Sequence, residues 1–121
     1  MRVYLAGPMT GLPAHNIPAF QAAAKDLRSR GFEVWSPATA DLCDPNRRGR
    51  TASEFSAERG YAYFMARDLP ALCRCDTLVV LPGWRRSPGA RLEVRTAIVC
   101  GFPVLCYPSL KPERLGKKWA C

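Results

Sequence analysis

The sequence predicts an α/β protein built on a small, mainly parallel, doubly wound sheet. Strand-like and helix-like patterns alternate along its 121 residues, which is typical of parallel strands joined by crossover helices. Residues 77–81 are continuously apolar and rich in β-branched side chains, as in a strand that is covered on both faces. A chain of this length is expected to form one domain, here with about four to five strands.

The first part of the chain contains two predicted strands. Residues 2–6 form the first, and Gly7 ends it, because a glycine lets the backbone turn sharply and approach a ligand closely. Asn16 is the expected cap of the next helix, which Gly31 closes. Residues 32–35 form the second strand. A helix therefore crosses over between two strands that are parallel.

The middle of the chain is predicted to hold an irregular segment and then a long helix. Residues 38–53 are polar and contain an arginine cluster, for which ligand contact and a solvated surface both stay open. Residues 54–75 have apolar side chains at helical spacing. Pro70 predicts a kink or restart near Asp68, whose carboxylate would then cap the restarted piece.

Ser87 is predicted to start a helix after the buried third strand. Its hydroxyl can cap the helix, and Pro88 follows where a missing N–H costs nothing. Ligands of open α/β sheets bind at the carboxyl ends of strands, and helix N-termini attract anions. Glu93 lies about a turn and a half into this helix, so we expect the chemistry here. Residues 103–107 form the last strand, which gives the strand order 2-1-3-4.

The composition narrows the possible partners. With 18 basic and 10 acidic residues, the formal net charge is +8, which indicates an anionic partner or a soluble surface with a basic tail.

The six cysteines are expected to be reduced thiols that pack in the interior. No zinc site is expected, because Cys73 and Cys75 lack a second ligand pair. No apolar run approaches the ~20 residues of a membrane span, and the chain enters a strand at once. We therefore expect a cytoplasmic protein without membrane contact or signal peptide.

Three sequence pieces occur together in a particular order. Residues 3–8 read VYLAGP, Arg67-Asp68-Leu69 precedes the third strand, and Ser87-Pro88-Gly89-Ala90 leads into Glu93. In this order and spacing, residues 1–107 resemble the nucleoside 2-deoxyribosyltransferase-like superfamily, and most closely its small phage and bacterial members of the GPMTG type. The superfamily also contains 2′-deoxynucleoside 5′-monophosphate N-glycosidases. The basic tail, residues 108–121, lies outside the resemblance.

The resemblance implies a Rossmann-like or flavodoxin-like fold and cleavage of the N-glycosidic bond between base and sugar. A glutamate at the position of Glu93 is implied to attack the anomeric carbon, forming a glycosyl ester that water or another base resolves. Asp68 is implied to assist by orientation or by proton transfer to the base, and Tyr4 to place the nucleophile. This chemistry needs no metal and no redox cofactor.

The resemblance also implies where the substrate binds. In the nucleotide-hydrolysing branch a serine at the position of Ser87 contacts the 5′-phosphate, whereas the transferases proper have an aspartate that binds the sugar hydroxyl. Ser87 with nearby Arg85 and Arg86 therefore favours a phosphorylated substrate. We expect a nucleoside or nucleotide ligand and a homo-oligomer. Further substrate contacts are expected at Gly7, Pro8, Met9, Trp84, Gly89 and Ala90.

Three functions stay open. The first is an N-glycosidase or transferase, the second is a binding protein that sequesters or senses a nucleotide in the same pocket, and the third is a nucleic-acid-binding protein suggested by the charge. Glu93 has an alternative reading as an exposed helical acid paired with neighbouring arginines. The alternative for Asp68 is a helix cap. The alternative for Tyr4 is a core residue whose hydroxyl reaches the surface.

Overall fold

The computed structural model describes residues 1–115 and has a four-stranded sheet at its centre. All strand pairs are parallel, and the order is β2-β1-β3-β4. The predicted α/β fold and strand order are therefore confirmed. The strands are β1 (Arg2–Ala6), β2 (Glu33–Trp35), β3 (Thr77–Val80) and β4 (Val104–Cys106).

Helices cover both faces of this sheet. Alternate side chains of β1 point to opposite faces, so Tyr4 joins one core cluster and Leu5 joins the other. The cluster of Tyr4 includes buried residues of α3 and α4, and that of Leu5 includes residues of α1 and α2. This arrangement explains why the two central strands are continuously apolar. The helices are α1 (Ile17–Ser29), α2 (Pro37–Cys43), α3 (Ala52–Cys73) and α4 (Pro88–Val99).

The segment predicted to be irregular begins with a helix instead. α2 follows β2 after a single residue, Ser36, and Pro37 occupies its first turn, where a proline has no N–H to leave unsatisfied. The prediction for residues 38–53 is therefore wrong in its first part. The helix has only seven residues, too few to display a helical apolar period. It buries Ala38 against the sheet and carries Asp41 inward.

The predicted kink or restart of the long helix near Asp68 is also wrong. α3 runs through Pro70, and its break in helical dihedral angles lies at Gly60, with φ 74° and ψ 177°. Pro70 has no N–H to donate to the carbonyl four residues earlier, yet the helix continues through it and ends one turn later, at Cys73. Asp68 is therefore not a cap, and it lies inside the helix with only 4% of its surface exposed.

The two predicted helix caps differ in outcome. The hydroxyl of Ser87 accepts a hydrogen bond from the N–H of Ala90 at 3.2 Å, so the predicted start of α4 is confirmed. Asn16 precedes α1 as predicted, but its side chain does not cap the helix. Its Nδ2 donates instead to the carbonyl of Pro8 at 2.8 Å, which ties down the loop that follows β1.

The first part of the basic tail packs on the sheet edge. The N–H of Glu113 donates to the carbonyl of Val104 at 2.8 Å, and Pro112 forms an antiparallel bridge with Leu105. Residues 116–121, which include the tail's last lysines and Trp119, lie outside the described residues. Within residues 1–115, no helix is long and apolar enough to cross a membrane.

Candidate functional site

A cavity of about 250 Å³ opens where β1 ends, between α3 and the start of α4. Its walls also include part of α2 and the loop that follows β1. This is the carboxyl end of the parallel sheet, where ligands of such folds bind. The structure brings most of the predicted site residues together here. Those that line the cavity are Gly7, Met9, Asp68, Ser87, Gly89, Ala90 and Glu93.

Glu93 and Tyr4 form a buried pair beside this cavity. The phenol of Tyr4 donates a hydrogen bond to Oε2 of Glu93, and the exposed fractions of the two residues are 0% and 5%. The reading of Glu93 as an exposed helical acid is therefore wrong. Burial raises the pKa of Glu93 to about 8, although the phenol and the more distant Arg67 oppose the rise. With this pKa, the carboxyl is mostly neutral at pH 7.

The ring of Tyr4 is held from its other side. It stacks on Trp35 with ring centroids 5.1 Å apart and an angle of 10° between the planes. Burial and the nearby carboxyl of Glu93 raise the pKa of Tyr4 well above its ordinary value. The phenol therefore stays protonated over the whole working range of pH. Its hydroxyl points inward to Glu93 rather than to the surface.

Asp68 presents a second carboxyl to the cavity in a different environment. Nε of Arg67 donates to its Oδ1 at 2.6 Å. Burial raises the pKa of Asp68 to about 6, and the guanidinium of Arg67 limits the rise. At pH 7 Asp68 is therefore largely ionised while Glu93 is neutral. Two carboxyls whose pKa values differ in this way suit separate roles in acid–base chemistry.

The chain matches one known family along most of its length. Residues 1–106 fit the model of the family described as a domain of unknown function, DUF4406. The chain belongs to the DUF4406 family. No curated protein matches it in sequence.

A solved structure shares the fold of this DUF4406 chain. It is that of a 2-deoxyribosyltransferase from the psychrotolerant bacterium Bacillus psychrosaccharolyticus, with a TM-score of 0.63 and 20% sequence identity. The similarity covers 88% of this chain and 71% of the transferase chain. The Rossmann-like fold that the sequence resemblance implied is therefore confirmed.

Some predicted contacts of the DUF4406 chain lie outside the cavity. Trp84 is 3% exposed and belongs to the core, and its Nε1 donates to Glu113 at 3.3 Å. Arg85 stacks on the ring of Trp84 and donates to the carbonyl of Arg114 at 2.6 Å. Both side chains hold the tail rather than face the cavity, because the turn that carries them packs into the sheet.

A groove adjoins the cavity and contains the remaining predicted contacts. Pro8 and Arg86 line this groove, and the lining of both spaces includes Met9 and Ser87. A ligand seated beside Ser87 can therefore extend from the cavity toward the guanidinium of Arg86. The structure thus separates the two predicted phosphate contacts, since Arg85 lies at the tail and Arg86 lies at the groove.

Several cavity residues were missed by sequence reasoning. His15, Asp41, Phe64 and Arg67 all line the space. Asp41 was missed because its segment was taken for irregular, and Phe64 because an apolar residue of a long helix is usually core. His15 was missed because a single histidine in a loop carries no motif of its own. Its position in a loop with two glycines and two prolines, residues 7–16, was the available signal.

Metal binding finds no support in the described part of the chain. Among residues 1–115, no three histidine, cysteine, aspartate or glutamate side chains form a group able to hold a metal ion. The cavity carboxyls instead contact a phenol and a guanidinium. The arrangement can place a neutral carboxyl and an ionised carboxyl against a ligand of about nucleoside size.

Proposed function

We propose that this chain cleaves or transfers the N-glycosidic bond of a nucleoside or nucleotide, with Glu93 as the nucleophile. The observation that supports this most is the buried Glu93 carboxyl, which Tyr4 orients toward a cavity that also contains Asp68. A carboxylate beneath a sugar ring can trap the oxocarbenium-like centre that forms when a base departs. The structure with the same fold is that of an enzyme described as a biocatalyst for nucleoside synthesis.

The two carboxyls supply the proton that the reaction needs. In the first step an oxygen of Glu93 bonds to the anomeric carbon while the C–N bond breaks and its electron pair goes to the base. The departing base takes up one proton, which the Glu93 carboxyl carries before the reaction because its pKa is about 8. Asp68 passes this proton to the base and leaves Glu93 as the attacking carboxylate. Positioned acids of this kind contribute about 10²–10⁴-fold.

The second step restores the enzyme. Water, or the nitrogen of a second base, attacks the anomeric carbon of the ester and displaces the Glu93 carboxylate. Asp68, now ionised, accepts the proton that the attacking group loses. Hydrolysis and base exchange therefore differ only in which nucleophile enters the cavity after the first base has left.

The sugar and any phosphate are proposed to lie along the start of α4. The Ser87 hydroxyl already accepts from the N–H of Ala90, and its own proton stays available to donate to a sugar or phosphate oxygen. A 5′-phosphate would extend beyond Ser87 into the groove lined by Arg86. Gly7 and Gly89 form part of the cavity wall, and Pro8, Met9 and Ala90 complete the proposed contact surface.

A cytoplasmic homo-oligomer is part of the proposal. Leu92 and Val99, two turns apart on α4, are apolar and 43% and 78% exposed. Side chains at this spacing lie on one face of a helix, and a second copy of the chain could cover them. Light scattering on the purified protein measures the oligomeric state directly, and a monomer at all concentrations would contradict this part.

One observation favours a binding protein as the second candidate. With a pKa of about 8, the Glu93 carboxyl is mostly neutral at pH 7, and a neutral carboxyl binds a polar ligand without attacking it. In that case the same cavity would hold a nucleotide unchanged. Tight binding of an intact ligand is the expected result for this alternative.

The experiment measures release of free base by liquid chromatography. The substrates are the four 2′-deoxynucleosides and their 5′-monophosphates, incubated with wild type, Glu93→Gln and Glu33→Gln. Glu33 is the matched control, because its carboxylate is exposed on β2 and pairs with Arg2. We expect wild type and Glu33→Gln to release base, and Glu93→Gln to be slower by at least about 10²-fold while still binding ligand.

Two outcomes would decide against the enzyme. If folded wild type binds a nucleotide but releases no base from any substrate, the binding protein is the correct reading. If Glu93→Gln turns over as fast as Glu33→Gln, the nucleophile is another group.

A further inference from the structure

Two exposed cysteines lie at the ends of the helices that carry the cavity carboxyls. Cys73 is the last residue of α3, and Cys100 is the C-cap residue of α4. Both are exposed, because both come after the last buried residue of their helix. The expectation that these two thiols pack in the interior is therefore wrong.

The register of the sheet places the two helix ends next to each other. β3 and β4 are adjacent parallel strands, and Leu78 lies opposite Val104. Cys73 precedes Leu78 by five residues, and Cys100 precedes Val104 by four. The two helices therefore lead into neighbouring strands through turns of similar length. Their ends meet at the edge where the strands begin, which is opposite to the cavity.

The side chains at these helix ends are in contact. Buried residues from the last turns of α3 and α4, among them Leu72 and Ala97, belong to the same core cluster. The thiols of Cys73 and Cys100 are joined by a hydrogen bond between their side chains. A sulfur–sulfur bond is about 2.0 Å long, so two thiols in contact need only a small shift to form one.

The other cysteines of residues 1–115 are engaged elsewhere. Cys75 is buried and its thiol donates to the carbonyl of Ala71 at 3.4 Å. The thiol of Cys106 donates to Glu113 at 2.8 Å. Cys43 is exposed at the end of α2, which packs on the opposite face of the sheet. Within the described part of the chain, Cys73 and Cys100 are thus the exposed thiols that can reach each other.

We propose that Cys73 and Cys100 form a reversible disulfide when the protein meets a peroxide, and that this bond ties the ends of α3 and α4 together. The bond closes a loop over residues 73–100, which restricts the unfolded chain and so stabilises the folded one. It lies away from the cavity, and it does not depend on the reaction proposed for Glu93.

The oxidation proceeds in two steps. One thiol attacks the peroxide, whose O–O bond breaks, and becomes a sulfenic acid while one water leaves. The second sulfur attacks the first, the S–O bond breaks, and the departing hydroxide leaves as water with the second thiol's proton. Two thiols thus lose two electrons and two protons, and the peroxide becomes two waters. Desolvation and the neighbouring Cys73 raise the pKa of the Cys100 thiol, so proximity rather than acidity favours the bond.

The test maps the disulfide on the full chain. Reduced, dilute protein is treated with hydrogen peroxide, digested with trypsin without reduction and analysed by mass spectrometry. We expect peptides 68–74 and 96–114 to be linked, with the loss of two hydrogens, and to separate again after dithiothreitol. Cys73→Ser and Cys100→Ser should abolish this link. Cys43→Ser and Cys106→Ser are the matched controls and should keep it, since Cys106 shares a peptide with Cys100.

Urea unfolding measures the consequence for the fold. The midpoint of the oxidised protein should exceed that of the reduced protein by on the order of 1 M urea, and the Cys43→Ser protein should show the same difference. Folded wild type that forms no link between the two peptides, or a link that persists in Cys100→Ser, overturns the proposed disulfide. Equal midpoints for linked and reduced protein would show that the bond does not tie the helices.

Discussion

Replacement of Glu93 by glutamine should remove a pH dependence from the stability of this fold. The pKa of Glu93 is about 8 in the folded protein, because its carboxyl is buried, against an ordinary value of 4.5. Between these two pH values the folded chain holds a proton that the unfolded chain has released. The free energy of unfolding therefore falls as pH rises from about 4.5 to about 8.

The size of this effect follows from the difference between the two pKa values. Each pKa unit corresponds to about 1.4 kcal/mol, so the ionisation of Glu93 lowers the free energy of unfolding by up to about 5 kcal/mol above pH 8. Native domains are stable by only about 5–15 kcal/mol. Glutamine carries no such proton, and its amide oxygen can still accept the hydrogen bond from Tyr4.

The assay is urea unfolding of wild type, Glu93→Gln and Glu33→Gln at several pH values between about 4.5 and 9, chosen to bracket the two pKa values. We expect the stability of Glu93→Gln relative to wild type to increase steadily over this range, while Glu33→Gln follows wild type. A gap between wild type and Glu93→Gln that stays constant over the whole range would refute the reasoning, because it would mean that the carboxyl of Glu93 ionises in the folded protein as it does in the unfolded chain.

Three further predictions concern the site and its supports. The profile of kcat/KM against pH should be bell-shaped with limbs near 6 and 8, since the two cavity carboxyls share one proton between these values, and a flat profile would contradict this. Tyr4→Phe should move the upper limb of this pH profile to higher pH, because the hydrogen bond from the Tyr4 phenol lowers the pKa of Glu93. Gly60→Ala should lower the free energy of urea unfolding by about 1–3 kcal/mol, since φ of 74° with ψ of 177° is strained for alanine; an unchanged midpoint would show a relaxed backbone there.

The sequence could predict those parts of the fold that depend on local patterns. An unbroken apolar run predicts the third strand. Ser87 and Pro88 predict the start of α4, where the structure confirms the cap. Strand order follows from general rules for crossover connections. The position of the cavity followed as well, since the carboxyl ends of the strands meet there.

The remaining features depend on contacts that local patterns do not contain. The bond between Tyr4 and Glu93 joins residues 89 positions apart, so burial of the carboxyl could not be derived from its neighbours in the chain. In α3, Pro70 was the expected point of disruption, but the break lies at Gly60, whose φ of 74° is a conformation that glycine adopts readily. Asp41 was missed since a helix of seven residues shows no clear period.

The stack of Tyr4 on Trp35 has an evolutionary consequence. Tyr4 is fully buried in the sheet core, so the side chain that orients Glu93 is also one that the chain needs in order to fold. A substitution of Tyr4 therefore affects both folding and the orientation of Glu93, so few side chains are acceptable at this position. Before the break at Gly60, Ser53 and Ser56 of α3 line the same cavity and belong to neither core cluster of the sheet, although Phe55 between them is fully buried. Substitutions at Ser53 and Ser56 can therefore change the lining of the cavity while the pair of Tyr4 and Glu93 stays as it is.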